Sequence, residues 1–238
     1  MRGGAPTLEV DITDYGYAYF GIRPLEGSQY ARGYHFVMPF TQIRPLDSEV
    51  PEVHGHTWVP MDDENCMVWK FYYSYGDQPM ADQSQRTAGA GNAYGTHVDV
   101  ENGFRPLRNR ANGWGIDRDI QRTETFTGVD GINQQDRAVQ ESMGRIVDRS
   151  GEHLGPADKA IIATRKLLLE AIDVVENGGD PRGTGSSYHE VRAAARTLPA
   201  DADWRKELLP LMYPQSRGGK PSSRPDAAEP VTVTQTNS

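Results

Sequence analysis

Apolar and polar side chains alternate with a period of two along several stretches of residues 7–75, the pattern of strands buried on one face. Leu8-Glu9-Val10-Asp11-Ile12 is the first. A turn at Thr13-Asp14 leads into the aromatic run Tyr15 to Ile22. Tyr34 to Met38 is a third strand, closed by Pro39. Glu52 to Val59 is a fourth, ending at Pro60 and the acidic turn Met61-Asp62-Asp63-Glu64-Asn65, and Cys66 to Tyr73 follows, so the last two predict a hairpin. Long aromatic strands of this kind suit a curved antiparallel sheet that wraps something large. Residues 76–125 break the pattern with Gly, Asn, Asp, Gln and Arg, most loosely from Gly89 to Gly95. So long an irregular stretch is either a functional arm or lid, or a surface excursion with short helical pieces.

The period then changes. Val139, Met143 and Ile146 recur at i, i+4 and i+7, which predicts one helical face within residues 132–149. Asp136 falls on that face, three residues before Val139. A carboxylate turned toward a core must meet a cation, a metal or backbone donors. Because Asp136 lies near the helix start, capping of backbone N–H groups is the other reading. A longer helix is predicted from Pro156 to Glu176, with Ile161, Leu168, Ile172 and Val175 inward. Pro156 suits the first turn, and Asn177-Gly178-Gly179-Asp180-Pro181 stops it. A short third helix is predicted near Tyr188 to Arg196. From Gln215 the chain holds almost nothing to bury, so residues 1–214 read as the folded domain and 215–238 as a disordered tail.

Composition narrows the function. The 238 residues carry a net charge of −8, which disfavours nucleic acid and anionic membrane surfaces as partners. No apolar run is long enough to span a membrane, and no apolar segment follows Met1 as a signal peptide requires, so the expected compartment is the cytoplasm. Cys66 is the single cysteine, which rules out an internal disulfide and an iron–sulfur cluster held by this chain alone.

Candidate chemistry is sparse. His54 and His56, two apart in a strand, share a side. With a carboxylate they would form a metal site; a histidine pair on the solvated face of a strand is the alternative that period-two polarity favours. His153, between the two helices, reads as a capping or packing residue, and Cys66 as a small core residue. Nucleophile elbow, Walker loop, dinucleotide fingerprint and His-Glu-x-x-His are absent.

The run Thr125-Phe126-Thr127-Gly128-Val129-Asp130-Gly131-Ile132-Asn133-Gln134-Gln135-Asp136-Arg137-Ala138-Val139-Gln140-Glu141-Ser142-Met143-Gly144 resembles the C-terminal catalytic region of Rieske-type aromatic-ring oxygenases, the phthalate 4,5-dioxygenase oxygenase-subunit group above all. The likeness continues through Ile146 to Ile162. It is shared by Thr13-Asp14-Tyr15-Gly16, by Met38-Pro39-Phe40 and by the hairpin His56 to Glu64, and spans roughly residues 6–195.

The resemblance implies an α+β, helix-grip fold: a curved antiparallel sheet around a long C-terminal helix, here 156–176, with a substrate pocket between. It implies a mononuclear Fe(II) held by two histidines and one carboxylate, the carboxylate being Asp136, with Phe126 near the pocket. It further implies an aromatic substrate, O2, a reductase as electron donor, a homotrimer or hexamer, and hydroxylation or dihydroxylation of the ring. In such enzymes a 2Fe-2S Rieske domain and a His-x4-His pair precede the sheet. This sequence has neither, so the expectation is the C-terminal portion of an oxygenase α subunit, inactive alone. The residues themselves leave a second reading open, a non-enzymatic helix-grip module whose apolar cavity binds a small hydrophobic or aromatic ligand. Arg23, Arg32 and Arg44 lie on or beside strands and would suit an aromatic carboxylate if any points inward; solvent-facing placement is expected for each.

Overall fold

The computed structural model describes residues 5–45, 52–75 and 97–214. Strands β1 (Thr7–Ile12), β2 (Gly16–Leu25), β3 (Ser28–Val37), β4 (Thr41–Pro45), β5 (Glu52–Pro60) and β6 (Cys66–Ser74) pair in chain order, each antiparallel to the next. The short ribbon of β7 (Val98–Asp99) and β8 (Arg105–Pro106) follows, then helices α1 (Arg118–Thr123), α2 (Ile132–Ser142) and α3 (Lys159–Glu176). Strand β9 (Ala194–Pro199) and helix α4 (Trp204–Met212) complete the α+β order. The chain divides into two compact units, Met1–Gln78 with His153–Ser238, and Pro79–Glu152. The expected tail at 215–238 and the loosest part of the irregular stretch, Gly89 to Gly95, lie outside the described residues.

In the first unit, β3 alternates strictly between buried and half-buried side chains over its whole length. Gln29, Ala31, Gly33, His35 and Val37 face one side; Tyr30, Arg32, Tyr34 and Phe36 face the other. On the buried side, Ala18, Phe20, Ala31, Val37, Ile43 and Val53 pack against Leu208, Met212 and Tyr213. Glycine is needed at two of these crossings. A Cβ on Gly33 would collide with the Met212 sulfur, and one on Gly55 with the Phe71 ring.

Tyr15, His35 and Arg205 form polar contacts of this layer. The Tyr15 hydroxyl lies 2.7 Å from His35 Nδ1 and 2.9 Å from the Tyr213 hydroxyl. His35 Nε2 donates to the Arg192 carbonyl at 3.1 Å, so Nδ1 is the acceptor and the Tyr15 O–H the donor. Arg205, at the start of α4, forks onto Asp11 and also reaches Glu9, with its guanidinium over the Phe20 and Trp204 rings. Helix and sheet are thus joined by charge at one end of α4 and by hydroxyls at the other.

Three elements depart from the sequence-based expectation. β4 escapes the pattern because its five residues offer one clear apolar side chain, Ile43, between two prolines. Residues 194–199 form a strand where a helix over Tyr188 to Arg196 was expected. Their Ala and Arg favour helix in isolation, but the open edge of β3 from Ser28 to Gly33 supplies ladder partners and decides the outcome. Helix α4 carries Pro210 inside it, which hides it from a propensity reading, and the Asp203 carboxylate caps its start by accepting from Arg205 and Lys206 N–H.

α3 forms where expected but presents another face. Ala163 and Leu167 are buried, with Ala160, Leu168 and Ala171 beside them, against Val10, Tyr17, Met38, Ile12, Tyr19 and Phe36. Ile161, Ile172 and Val175, the expected inner face, are exposed; only Leu168 packs. The sheet presents bulky rings here, so the helix offers its small side chains to approach them. Tyr17 and Thr164 hydroxyls meet at 2.7 Å in that seam, and Lys159 Nζ caps the Leu8 carbonyl at 3.3 Å. Among the described residues no helix is long and apolar enough to cross a membrane.

In the second unit, Asp117 caps α1 by accepting from Asp119 and Ile120 N–H. Val129 is buried, the turn Arg110–Gly115 bonds to the C-terminal end of α2 through Arg110 and Trp114, and the Asp117 N–H before α1 donates to the Gly128 carbonyl.

Candidate functional site

Asp136 is the fifth residue of α2 and is exposed. It does not cap the helix: the N-cap is Gly131, at φ 84°, and no side chain bonds there. The expected inward apolar face is also the open one. Ile132, Val139, Met143 and Ile146 are all more than half exposed. The side that packs within the unit is polar. Gln134 is buried, Gln135 Nε2 donates to the Val129 carbonyl at 3.0 Å, and Glu141 accepts from Trp114 Nε1 at 2.8 Å. Arg110 Nη2 donates to the Glu141 carbonyl at 3.2 Å at the helix end. Hydrogen bonding therefore orients this helix, and the apolar face bearing Asp136 is left outward. Phe126 is fully exposed, and its carbonyl accepts from Gln121 Nε2.

A single carboxylate does not hold a mononuclear iron. Among the described residues no group of three or more His, Cys, Asp or Glu side chains stands close enough to bind a metal ion. The described part of the chain therefore does not fit such a centre by itself.

The other candidate surface is the α3 side of the sheet in the first unit. Register places Tyr17 opposite Phe36 and Tyr19 opposite Tyr34, and both pairs stack, with centroids 5.1 and 4.4 Å apart. Burial raises the Tyr17 hydroxyl to about 12 against the lowering effect of its Thr164 bond, and raises Tyr19 as well, so both hydroxyls are neutral, and Tyr19 accepts from Gln42 Nε2. The Arg32 guanidinium lies 5.3 Å from the Tyr34 ring centroid and donates from Nη2 to the Pro45 carbonyl at 3.1 Å, while its buried Nε has no hydrogen-bond partner among the described residues. Arg32 and Arg44 are half-buried on this side, against the expectation that both face solvent; Arg23 is exposed, as expected.

Next to these aromatics the surface becomes cationic. Gln42 stands opposite His56, and Arg44 opposite His54. Lys70 faces His56 and Tyr72 faces His54 from β6. The expected solvated histidine pair is corrected: His56 is buried and His54 half-buried, because β4 and β6 flank them. Arg44 Nη2 lies 3.4 Å from His56 Nε2. Burial first, then Arg44, Lys70 and His54, push the His56 pKa down to about 4. A neutral imidazole among cations is a poor metal ligand set. The spacing His54-x-His56 showed one side of this cluster, but the register that brings Arg44 and Lys70 to it is not visible in sequence.

Two further expectations change. Cys66 opens β6 as an exposed thiol and is not a core residue, and His153 is exposed and packs into nothing buried.

A family model described as LigXa C-terminal domain like matches residues 2–212. The chain is 32% identical over 214 residues to the 3-chlorobenzoate-3,4-dioxygenase oxygenase subunit of Comamonas testosteroni, covering 84% of this chain and 49% of that protein. It is 32% identical over 209 residues to the phthalate 4,5-dioxygenase oxygenase subunit of Pseudomonas putida, covering 84% and 46%. It is 25% identical to the phenoxybenzoate dioxygenase subunit alpha of Ectopseudomonas oleovorans, covering 78% and 46%. The chain spans about half the length of the curated relatives it matches. It belongs to the LigXa C-terminal-domain-like family, akin to the C-terminal catalytic region of phthalate 4,5-dioxygenase-type oxygenase subunits.

Proposed function

We propose that this chain forms the substrate-binding part of a Rieske-type oxygenase acting on an aromatic carboxylate, through hydroxylation or dihydroxylation of the ring. The observation that carries this reading is the match of residues 2–212, together with relatives that are dioxygenase subunits named for phthalate, chlorobenzoate and phenoxybenzoate. The seam between α3 and the aromatic side of the sheet supports a helix-grip arrangement, and its stacked rings beside Arg32 suit a flat anionic substrate. In this reading Asp136 is one iron ligand, presented from an outward apolar face, and the histidine ligands and the 2Fe-2S cluster come from polypeptide beyond these residues. Bound iron would supply dioxygen activation, with a reductase supplying electrons, in a homotrimer or hexamer. This chain's own residues bind the ring, orient its carboxylate and exclude water.

The test is turnover of an aromatic carboxylate by the chain joined to a Rieske-domain polypeptide carrying the two histidines. Asp136→Ala abolishes turnover. Because Asp136 is exposed, the same change leaves the melting temperature of the chain alone nearly unmoved. Retained turnover removes Asp136 from the metal centre.

One observation favours a second reading, a binding module without chemistry: the aromatic surface lies wholly within the first unit, whereas Asp136 belongs to the second. That reading expects aromatic ligands to raise the melting temperature of the isolated chain, with or without Asp136.

A further inference from the structure

We propose that Arg44 and His56 form an anion subsite that takes the carboxylate of an aromatic ligand, and that the anion enters together with a proton on His56. This deepens the aromatic-carboxylate reading above and rests on it for the ligand class.

The argument begins with what a guanidinium cannot do. It has only donors. At 3.4 Å from Arg44 Nη2, His56 Nε2 must carry a lone pair, so the ring is neutral with its proton on Nδ1. Protonating Nε2 would set two donors, both positive, against each other. The cations among the groups on this face reinforce it. β4 contributes Arg44, β6 contributes Lys70 and Tyr72, β5 itself contributes His54 and Glu52, and β3, beyond β4, contributes Arg32. Arg44, Lys70 and His54 each oppose a charge on His56, and its burial adds to them.

An oxyanion between Arg44 and His56 reverses this balance. One carboxylate oxygen accepts from Arg44 and the other from protonated Nε2, so a repulsion becomes two charge-assisted bonds. The proton comes from solvent, so the complex gains one anion and up to one proton. A metal cation meets the opposite fate, because the same neighbours repel it. Aromatic side chains lie beside the charge. Gln42 stands opposite His56 and donates from Nε2 to the Tyr19 hydroxyl, and Tyr19 stacks on Tyr34, so the cationic patch adjoins ring surface. The Trp58 ring stands edge-on to His56 with centroids 5.5 Å apart on the other side.

The test is calorimetric titration of the 238-residue chain near neutral pH with benzoate, and with benzamide as its uncharged counterpart, each in two buffers of different ionisation enthalpy. Benzoate binds with net proton uptake, and benzamide binds without it or not at all. His56→Gln abolishes the uptake, and Arg44→Gln weakens benzoate about tenfold or more. No benzoate binding, binding without proton uptake, or uptake and affinity unchanged in both variants overturns the proposal. Should either variant fail to fold, the imidazole 15N shifts of His56 in the wild-type chain decide: movement toward the imidazolium values on adding benzoate supports the subsite, and unmoved shifts overturn it. None of these readouts uses iron or turnover, so failure of the oxygenase reading and failure of this subsite are separately visible.

Discussion

Replacing Arg205 by Met asks whether α4 is held to the sheet by charge or by packing alone. Arg205 Nη1 meets Asp11 Oδ2 at 2.6 Å, and Nη2 meets Asp11 Oδ1 at 3.0 Å and Glu9 Oε2 at 2.6 Å. The three bonds are not equal. The Glu9 and Arg205 side chains are more than a third exposed, so their pair contributes about 0–1 kcal/mol. Asp11 is only 6% exposed, and its two-pronged bond is charge-assisted, contributing about 1.5–3 kcal/mol. Met keeps an apolar stem over Phe20 and Trp204 and loses only the cation–ring attraction, about 0.5–1 kcal/mol. The expected loss is about 3 kcal/mol. It would be measured by urea unfolding followed through Trp fluorescence, with an unchanged denaturant slope. Part of that loss comes from stranding a buried carboxylate, so Asp11→Asn added to Arg205→Met recovers stability. A loss below about 1 kcal/mol, or a double variant no more stable than the single one, would refute the assignment of α4's anchorage to charge.

The hydroxyl end of α4 makes a graded prediction. Tyr15→Phe costs about 1–3 kcal/mol because it strands the buried His35 Nδ1, whereas Tyr213→Phe costs less because the Tyr15–His35 bond survives; equal losses in chemical denaturation would contradict the network. Acid stability follows from His35, whose pKa burial depresses from 6.5 to about 4 while the bond to the Arg192 carbonyl opposes the shift. A histidine depressed in the folded state favours unfolding once the unfolded ring protonates. Its contribution is therefore whole above about pH 6.5 and is lost as pH falls toward 4, by at most roughly 3 kcal/mol. His56 adds a slope of the same sign, so the His35 share is read as wild type minus His35→Gln, and identical slopes for the two would sink the claim.

What the sequence revealed depended on whether large side chains marked the interior. They did along β1, β2, β5 and β6, where apolar and aromatic runs marked the strands, although the face of β5 bearing His54 and His56 was read as solvated. They did not along the first half of β3, whose buried positions hold Gln29, Ala31 and Gly33 and are hidden by size and polarity. The helices erred for a related reason. On α3 the small residues Ala160, Ala163 and Ala171 face the sheet, since Tyr17 and Phe36 already fill the space, and the larger Ile161, Ile172 and Val175 are left outside. On α2 the polar side is inward because Trp114, Arg110 and the Val129 carbonyl offer it partners. Helical spacing and the motif around it both singled out Asp136 as a candidate, but its exposure was not legible. The Arg44–His56 contact was illegible, since a sequence does not state which strands are neighbours or in what register.

The branching of the sheet at β3 has a consequence for how the chain is made. β3 lends Ser28–Gly33 to β9 and His35–Val37 to β4, and Gln29 Nε2 donates to the Pro199 carbonyl across 170 residues of sequence. During synthesis the β3–β4 ladder can close early, but the other half of that edge waits until Ala194–Pro199 has emerged. Folding is thus gated by this late, non-local pairing. A ribosome that stalls, or a protease that cuts, before Ala194 leaves a bare run of backbone donors and acceptors able to recruit another strand. Proteolytic trimming within β9 should therefore drive aggregation, a vulnerability set by the order in which the chain emerges.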